Sequence, residues 1–167
     1  MTKREMTCCF SGHRFIKKAF LERLSNDLYK SIEELIEKGV TRFAAGGALG
    51  FDTLAAKTVL KAKEKYPHIE LLLILPCKNQ AERWREKDKA IYENIKEQSD
   101  TIIYTTEFYV DGCMQARNRA LVDMSSFLIC FKERDSGGAA YTVNYAVNEG
   151  LKIINLAENP LQQEIDV

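Results

Sequence analysis

Short, nearly continuous apolar runs alternate along the chain with longer segments in which apolar residues recur at helical spacing. Between residues 17 and 38, apolar side chains recur every three or four positions from Phe20 to Ile36, which predicts a helix that ends at Gly39. Residues 69–75 form one of the short apolar runs, and Pro76 follows directly. Such runs are typical of parallel strands that helices cover on both faces.

The alternation extends over nearly the whole chain. It predicts strands at residues 7–11, 41–45, 69–75, 101–105, 127–131 and 151–155. It predicts helices at residues 17–38, 52–65, 79–98, 114–124 and 137–148. Because crossovers between parallel strands are right-handed, this order predicts an α/β fold with a Rossmann-like, doubly wound, mainly parallel sheet of about six strands and helices on both faces. We expect residues 1–167 to form a single domain, with a core at about 7–156 and a polar C-terminal tail.

The charge balance changes the picture of possible partners. Lysine plus arginine and aspartate plus glutamate are equal, at 24 each in 167 residues. A protein that grips long nucleic acid through many phosphates usually carries a basic excess, so a nucleic-acid partner is an alternative that the composition does not favour. The sequence has no apolar segment long enough for a signal peptide or a membrane span, so we expect a cytoplasmic protein with no membrane partner.

The cysteines and histidines argue against a metal centre. The five cysteines show no metal-ligand spacing, and apolar neighbours around most of them favour reduced, buried thiols. The two histidines, His13 and His68, are too few and too far apart for a ligand set. We expect no metal and no cofactor.

Glycine-rich segments follow the second and fifth predicted strands, and a shorter Ser11-Gly12-His13-Arg14 segment follows the first. In doubly wound sheets, ligands lie at the carboxyl ends of the strands. Glycine allows the backbone to approach a ligand closely, and the N-terminus of the following helix favours an anion such as phosphate. Neither glycine segment is a Walker A motif or a GxGxxG fingerprint, which disfavours ordinary NAD binding or ATP hydrolysis.

Arg117-Asn118-Arg119 opens the fourth predicted helix near the same edge. Cations at a helix start oppose the helix dipole unless an anion lies nearby. Asp52 either caps its helix or accepts hydrogen bonds from sugar hydroxyls. The residues predicted to bind the ligand are Gly12, His13, Arg14, Gly46, Gly47, Gly50, Asp52, Arg117, Asn118, Arg119, Ser136, Gly137, Gly138 and Thr142.

Three aromatic residues could stack on a base: Trp84, Tyr109 and Tyr141. Trp84 falls on the apolar stripe of the third predicted helix, which favours a place in the core. We also expect glutamate at Gly50 or at Gly138 to abolish ligand binding without unfolding the protein.

Four motifs in register resemble the SLOG superfamily, which joins the DNA-processing protein A (Smf) family with the LOG phosphoribohydrolases. The similarity is clearest to Smf and to the small, stand-alone, YspA-like bacterial members. The matching segments are Gly12-His13-Arg14, residues 45–52 with Ala55, Arg117-Asn118-Arg119 with Met124-Ser125, and Ser136-Gly137-Gly138 with Thr142, Ala146 and Gly150. The resemblance implies a Rossmann-like fold, a pocket for nucleotides or nucleic-acid-derived ligands, and a homo-oligomer.

The resemblance leaves three functions open. The first is a sensor or regulatory module that binds a nucleotide or nucleotide-derived, phosphate-bearing small molecule. The second is a LOG-like hydrolase that cleaves the N-glycosidic bond of a nucleoside monophosphate. The glutamate of the LOG motif aligns with Asn144, whose amide cannot act as a carboxylate base. The third is a single-stranded nucleic-acid binder of the Smf type.

Overall fold

The computed structural model describes residues 1–157 of the chain. The strands are Thr7–Gly12 (β1), Arg42–Ala45 (β2), Glu70–Leu75 (β3), Thr101–Tyr104 (β4), Phe127–Phe131 (β5) and Lys152–Asn155 (β6). The helices are Leu21–Glu37 (α1), Phe51–Lys65 (α2), Glu86–Gln98 (α3), Cys113–Asp123 (α4) and Gly138–Asn148 (α5), and a 3₁₀ turn spans Lys18–Phe20. The predicted polar tail beyond residue 157 lies outside the described residues.

All six strands run parallel in one sheet with the order β4-β3-β2-β1-β5-β6. This confirms the predicted Rossmann-like, doubly wound α/β fold. The central strand β1 pairs with β2 on one side and with β5 on the other, so that Cys9 lies opposite both Ala44 and Leu128. The strand order reverses between β1 and β5, and in such sheets a crevice opens at this switch point.

Alternate residues of the strands point to opposite faces of the sheet. In β3, Leu71, Leu73 and Leu75 pack with α1, α2 and α3, whereas Leu72 and Ile74 pack on the other face with α4 and α5. The strands are apolar on both faces because both faces are covered by helices. The apolar runs of the sequence therefore predicted the strands to within one or two residues.

The third helix begins seven residues later than predicted. Residues 79–84 form turns, in which the Trp84 amide donates to the Ala81 carbonyl at 3.0 Å, and α3 begins at Glu86. The side-chain amide of Gln80 donates to the Gly47 carbonyl at 3.3 Å and so fastens the turns to the loop after β2. Trp84 is consequently half-buried outside the helix, with its ring edge-on to that of Tyr92 at 5.1 Å between centroids.

The five cysteines are free thiols with buried side chains. Burial raises the pKa of Cys9 to about 12, which suppresses its thiolate at neutral pH. Residues 1–157 bring together no group of three or more side chains suited to a metal ion. No helix in this part of the chain is long and apolar enough to cross a bilayer.

Candidate functional site

A cleft of about 760 Å³ opens at the switch point between β1 and β5. Its walls come from the loop after β1, the first turn of α2, the N-terminal turns of α4, and the loop that joins β5 to α5. Among the predicted site residues, Gly12, His13, Arg14, Asp52, Arg117, Asn118, Gly137 and Gly138 line the cleft. Four segments that are far apart in sequence therefore meet at one edge of the sheet.

A buried pair of opposite charges lies beneath the cleft. The side chains belong to Arg117, which is 3% exposed, and Asp52, which is 7% exposed. The Arg117 guanidinium donates through Nη1 to the Gly46 carbonyl and through Nε to Asn118 Oδ1 at 2.8 Å. Asp52 Oδ2 accepts from the Ala48 amide at 3.2 Å. These bonds fix the start of α4 and the loop after β2 to each other.

Burial and charge pairing act against each other in this pair. Burial raises the pKa of the Asp52 carboxyl group, and the nearby Arg117 guanidinium opposes the rise. Burial likewise lowers the pKa of Arg117, and the Asp52 carboxylate opposes that change. A Cβ at Gly46 would lie 2.7 Å from Arg117 Nη1 and 2.9 Å from Asp52 Oδ2. Glycine at this position therefore makes room for the charge pair.

The remaining glycines of the loop after β2 pack against protein rather than line the cleft. Gly50 has φ of +78°, and a Cβ there would overlap the carbonyl group of Arg14. The next amide, that of Phe51, donates to the His13 carbonyl at 3.0 Å. A Cβ at Gly47 would overlap the side chain of Leu75. The loop therefore supports the cleft from behind, and the expectation that glutamate at Gly50 leaves the protein folded does not agree with this packing.

Gly137 and Gly138 stand in open space at the start of α5. A Cβ at either glycine would have no neighbouring atom of the described chain within 4 Å. Within residues 1–157 no side chain caps the helix, so its first backbone N–H groups can bind an anion. Thr142 is buried and donates through Oγ1 to the Gly138 carbonyl at 2.9 Å, which supports this turn from the protein side. Ser136 is exposed and lies outside the residues that line the cleft.

His13 joins two walls of the cleft. Its side chain is buried, and its Nε2 accepts from the Glu133 amide at 2.9 Å, which requires the unprotonated form of that nitrogen. The ring also packs edge-on against Phe131, with centroids 5.9 Å apart. Burial and the nearby charge of Arg134 lower the pKa of His13. The histidine is therefore a neutral link between the loops that follow β1 and β5.

The cleft is locally basic although the chain as a whole carries no net charge. Arg14, Lys17, Arg117 and Arg134 line it, against the carboxyl groups of Asp52 and Glu133. The side chains of Arg14, Lys17 and Arg134 are exposed, so they can reach a bound anion. Such a local excess of cations raises the concentration of anionic ligands at the site.

In the described part of the chain, three exposed aromatic side chains line the cleft: Phe15 at 80% exposure, Phe20 at 43% and Tyr141 at 39%. Arg119 donates to the Tyr141 hydroxyl at 2.9 Å, and among the described residues it stands outside the cleft lining. Arg119 is therefore connected to the rim of the cleft by its hydrogen bond to Tyr141. Asn144, which aligns with the glutamate of the LOG motif, is exposed and also lies outside the lining.

A second cavity of about 510 Å³ adjoins the cleft and shares Arg14, Ala48 and Met114 with it. Its other lining residues are Leu49, Cys77, Asn79, Gln80, Glu82, Arg83, Trp84 and Tyr109. The sequence pattern missed this cavity because it assigned Trp84 to the buried stripe of a longer helix. The tryptophan and tyrosine were the signal that could have indicated it.

The cleft at the switch point of a doubly wound sheet, with its glycine loops and buried arginine, agrees with the motifs that define the SLOG proteins. The model of the YspA SLOG family matches residues 13–155. The chain belongs to this family.

Relatives in Bacillus and allied genera support the assignment. A UPF0398 protein of Halalkalibacterium halodurans is 34% identical over 130 residues, which cover 77% of this chain and 65% of the relative. A UPF0398 protein of Brevibacillus brevis is 31% identical, over 83% of this chain and 71% of the relative. The SPbeta prophage-derived protein YoqJ of Bacillus subtilis is 32% identical, over 78% of this chain and 84% of the relative. The chain thus spans just under two thirds of the length of the first of these relatives.

Two solved structures share the fold. DNA processing protein A from Helicobacter pylori, described for its single-stranded DNA binding mode, superposes with a TM-score of 0.65 at 18% identity, over 97% of this chain and 72% of that one. DNA processing protein A from Streptococcus pneumoniae superposes with a TM-score of 0.67 at 15% identity, over 95% of this chain and 53% of that one. At these identities the likeness concerns the fold.

Alanine at Gly50 should destabilise the protein, whereas alanine at Gly138 should leave its stability nearly unchanged. We expect Gly50→Ala to lower the free energy of unfolding by about 3 kcal/mol, because it combines a positive φ with overlap of the Arg14 backbone. Gly138→Ala should change it by less than about 0.5 kcal/mol, because the added methyl group enters open space. Urea unfolding of both variants measures the difference, and equal losses would contradict the separate roles of the two glycines.

His13 should make the stability depend on pH. Its pKa in the folded protein lies below the ordinary value of 6.5, so between these two values the unfolded chain binds more protons. The contribution of His13 is therefore complete above about pH 6.5 and is lost as the pH falls toward its folded-state pKa. Urea unfolding across this range should show a steeper acid loss for the parent protein than for His13→Gln, which keeps an acceptor but does not titrate. Identical pH profiles would contradict the assignment, and His68 is present in both proteins.

Proposed function

We propose that the cleft binds a nucleotide or a nucleotide-derived, phosphate-bearing small molecule, and that the protein acts as a sensor or regulatory binding module. The observation that carries the proposal is the uncapped start of α5 at Gly137 and Gly138, which opens into a cleft lined by Arg14 and Arg134. Phosphate groups are commonly bound by free backbone amides at a helix N-terminus together with exposed cationic side chains. The volume of about 760 Å³ is in the range of small-molecule sites.

The lining residues would contact different parts of the ligand, according to their chemistry. The amides of the first turn of α5 would donate hydrogen bonds to the phosphate oxygens, and Arg14 and Arg134 would neutralise the phosphate from the rim. Asn118 and the Asp52 carboxyl group line the cleft and supply polar groups for sugar hydroxyls. Arg117 has its guanidinium bonded to Gly46 and Asn118, so its contribution is a fixed positive charge behind the ligand.

Hydrolysis of a glycosidic bond is the less well supported alternative. The LOG motif needs a carboxylate where this chain has Asn144, and that residue is exposed outside the cleft lining. Asp52 does line the cleft, but it is buried, bonded to the Ala48 amide and close to Arg117. Its environment suits a structural carboxylate better than a general base.

Single-stranded nucleic acid is the second candidate ligand. The exposed rings of Phe15 and Tyr141 lie beside the cations of the cleft, and base stacking next to a basic groove is the general mode of single-strand binding. The neighbour from Helicobacter pylori, described for its single-stranded DNA binding mode, adds weight to this alternative.

Ligand binding can be tested by thermal unfolding with a pair of charge-matched variants. We expect nucleoside phosphates to raise the Tm of the parent protein, because a ligand that binds the folded state stabilises it by mass action. Gly138→Glu should weaken binding at least about tenfold, because it places a carboxylate where the phosphate would lie. Asn144→Glu adds the same charge to the same helix, at an exposed position outside the cleft, and should bind as the parent does.

The remaining outcomes separate the alternatives. Equal binding by both glutamate variants, or no Tm shift with any nucleotide, would contradict the proposal. Free base released from a bound nucleotide would favour the hydrolase. Stabilisation by oligonucleotides alone, with a steep loss of affinity as salt is raised, would favour the nucleic-acid binder.

A further inference from the structure

We propose that the second cavity receives the base of the nucleotide, stacked on Trp84, so that the ligand extends from α5 to the turns before α3. This inference rests on the proposed function and adds the orientation of the ligand and a residue that recognises its base. The two cavities share Arg14, Ala48 and Met114 as a common wall, so one molecule can occupy both.

The two cavities differ in the chemistry of their walls. The cleft offers helix amides and four cationic side chains, which suit a phosphate. The second cavity offers the rings of Trp84 and Tyr109 together with apolar neighbours, and its charged residues are Arg14, Glu82 and Arg83. The two rings suit a flat aromatic group. A nucleotide carries these two kinds of group at its opposite ends.

Hydrogen bonds between the walls hold the second cavity open. Asn79 Oδ1 accepts from the Tyr109 amide at 2.9 Å, and the Lys78 amide donates to the Glu107 carbonyl at 2.9 Å. These bonds join the segment that carries Trp84 to the loop that carries Tyr109. A site formed before the ligand arrives loses little conformational entropy on binding.

Gln80 lines the second cavity and ties its wall to the loop after β2 and to α3. Its Nε2 donates to the Gly47 carbonyl and to the Tyr92 hydroxyl, each at 3.3 Å. Its Oε1 is buried and has no donor among the described residues. Rotating the amide would set two oxygens against each other at Gly47, so the orientation is fixed by the carbonyl. The Gln80 side chain therefore helps to hold the wall of the second cavity in place before the base binds.

Binding of a base next to Trp84 can be followed by tryptophan fluorescence, because Trp84 is the single tryptophan of the chain. Adenosine and cytidine monophosphates and ribose phosphate serve as probes, with fluorescence excited at the red edge of the indole band, where bases absorb little. We expect both nucleotides to quench Trp84 fluorescence over the same concentration range in which they raise the Tm. Ribose phosphate should raise the Tm without quenching.

Two leucine variants complete the test. Trp84→Leu should weaken nucleotide binding about tenfold, as the loss of one stacked base does, and leave ribose phosphate binding unchanged. Phe108→Leu is the matched control, because Phe108 is 64% exposed on the loop of Tyr109 and lines neither cavity. Binding of ribose phosphate to Trp84→Leu also shows that the variant is folded.

The outcomes distinguish this inference from the function on which it rests. Nucleotides that raise the Tm without changing the fluorescence, and that bind Trp84→Leu normally, would overturn the place of the base and leave the phosphate site standing. A failure of nucleotides and ribose phosphate alike to raise the Tm would overturn both.

Discussion

A guanidinium buried beneath the carboxyl edge of the sheet is the constraint on which the rest of the site depends. Arg117 cannot be left without partners, because an uncompensated buried charge costs several kcal/mol. Its partners are the Gly46 carbonyl, the Asn118 side chain and the charge of Asp52. Satisfying this one group therefore fixes the loop after β2, the first turn of α2 and the start of α4 relative to one another. The solvent-facing side of these segments forms part of the walls of the cleft.

The same constraint explains why a chain without net charge can present a basic cleft. Asp52 offsets Arg117 inside the protein, and the remaining cations of the cleft stand on its rim, where Glu133 is the other carboxyl group of the lining. Charges elsewhere in the chain form surface ion pairs, such as that of Lys63 with Asp100 at 2.5 Å. Net charge sums over all these groups, so it does not describe the potential at one edge of the sheet.

The sequence predicted the sheet well because parallel strands buried on both faces need apolar residues at every position. It placed the third helix too early because residues 79–85 contain neither proline nor glycine, and only the contact of Gln80 with Gly47 shows why they form turns. It identified which loops meet at the cleft, since the carboxyl ends of parallel strands share one edge. It could not divide the glycines into those that face open space and those that face protein. The two kinds of glycine look alike in the sequence, and the atoms that would surround a Cβ at each are known only from tertiary structure.

The central position of β1 ties the site to the completion of folding. Its neighbour β5 comes more than a hundred residues later in the chain, and the contact of His13 with Glu133 spans 120 positions. Pairings at such long range form late and slowly, because a large loop must close first. A chain in which β5 has not yet paired therefore has four of the six strands and lacks the wall of the cleft that the loop between β5 and α5 supplies. A ligand of this site would therefore bind and stabilise only chains in which β5 has joined the sheet.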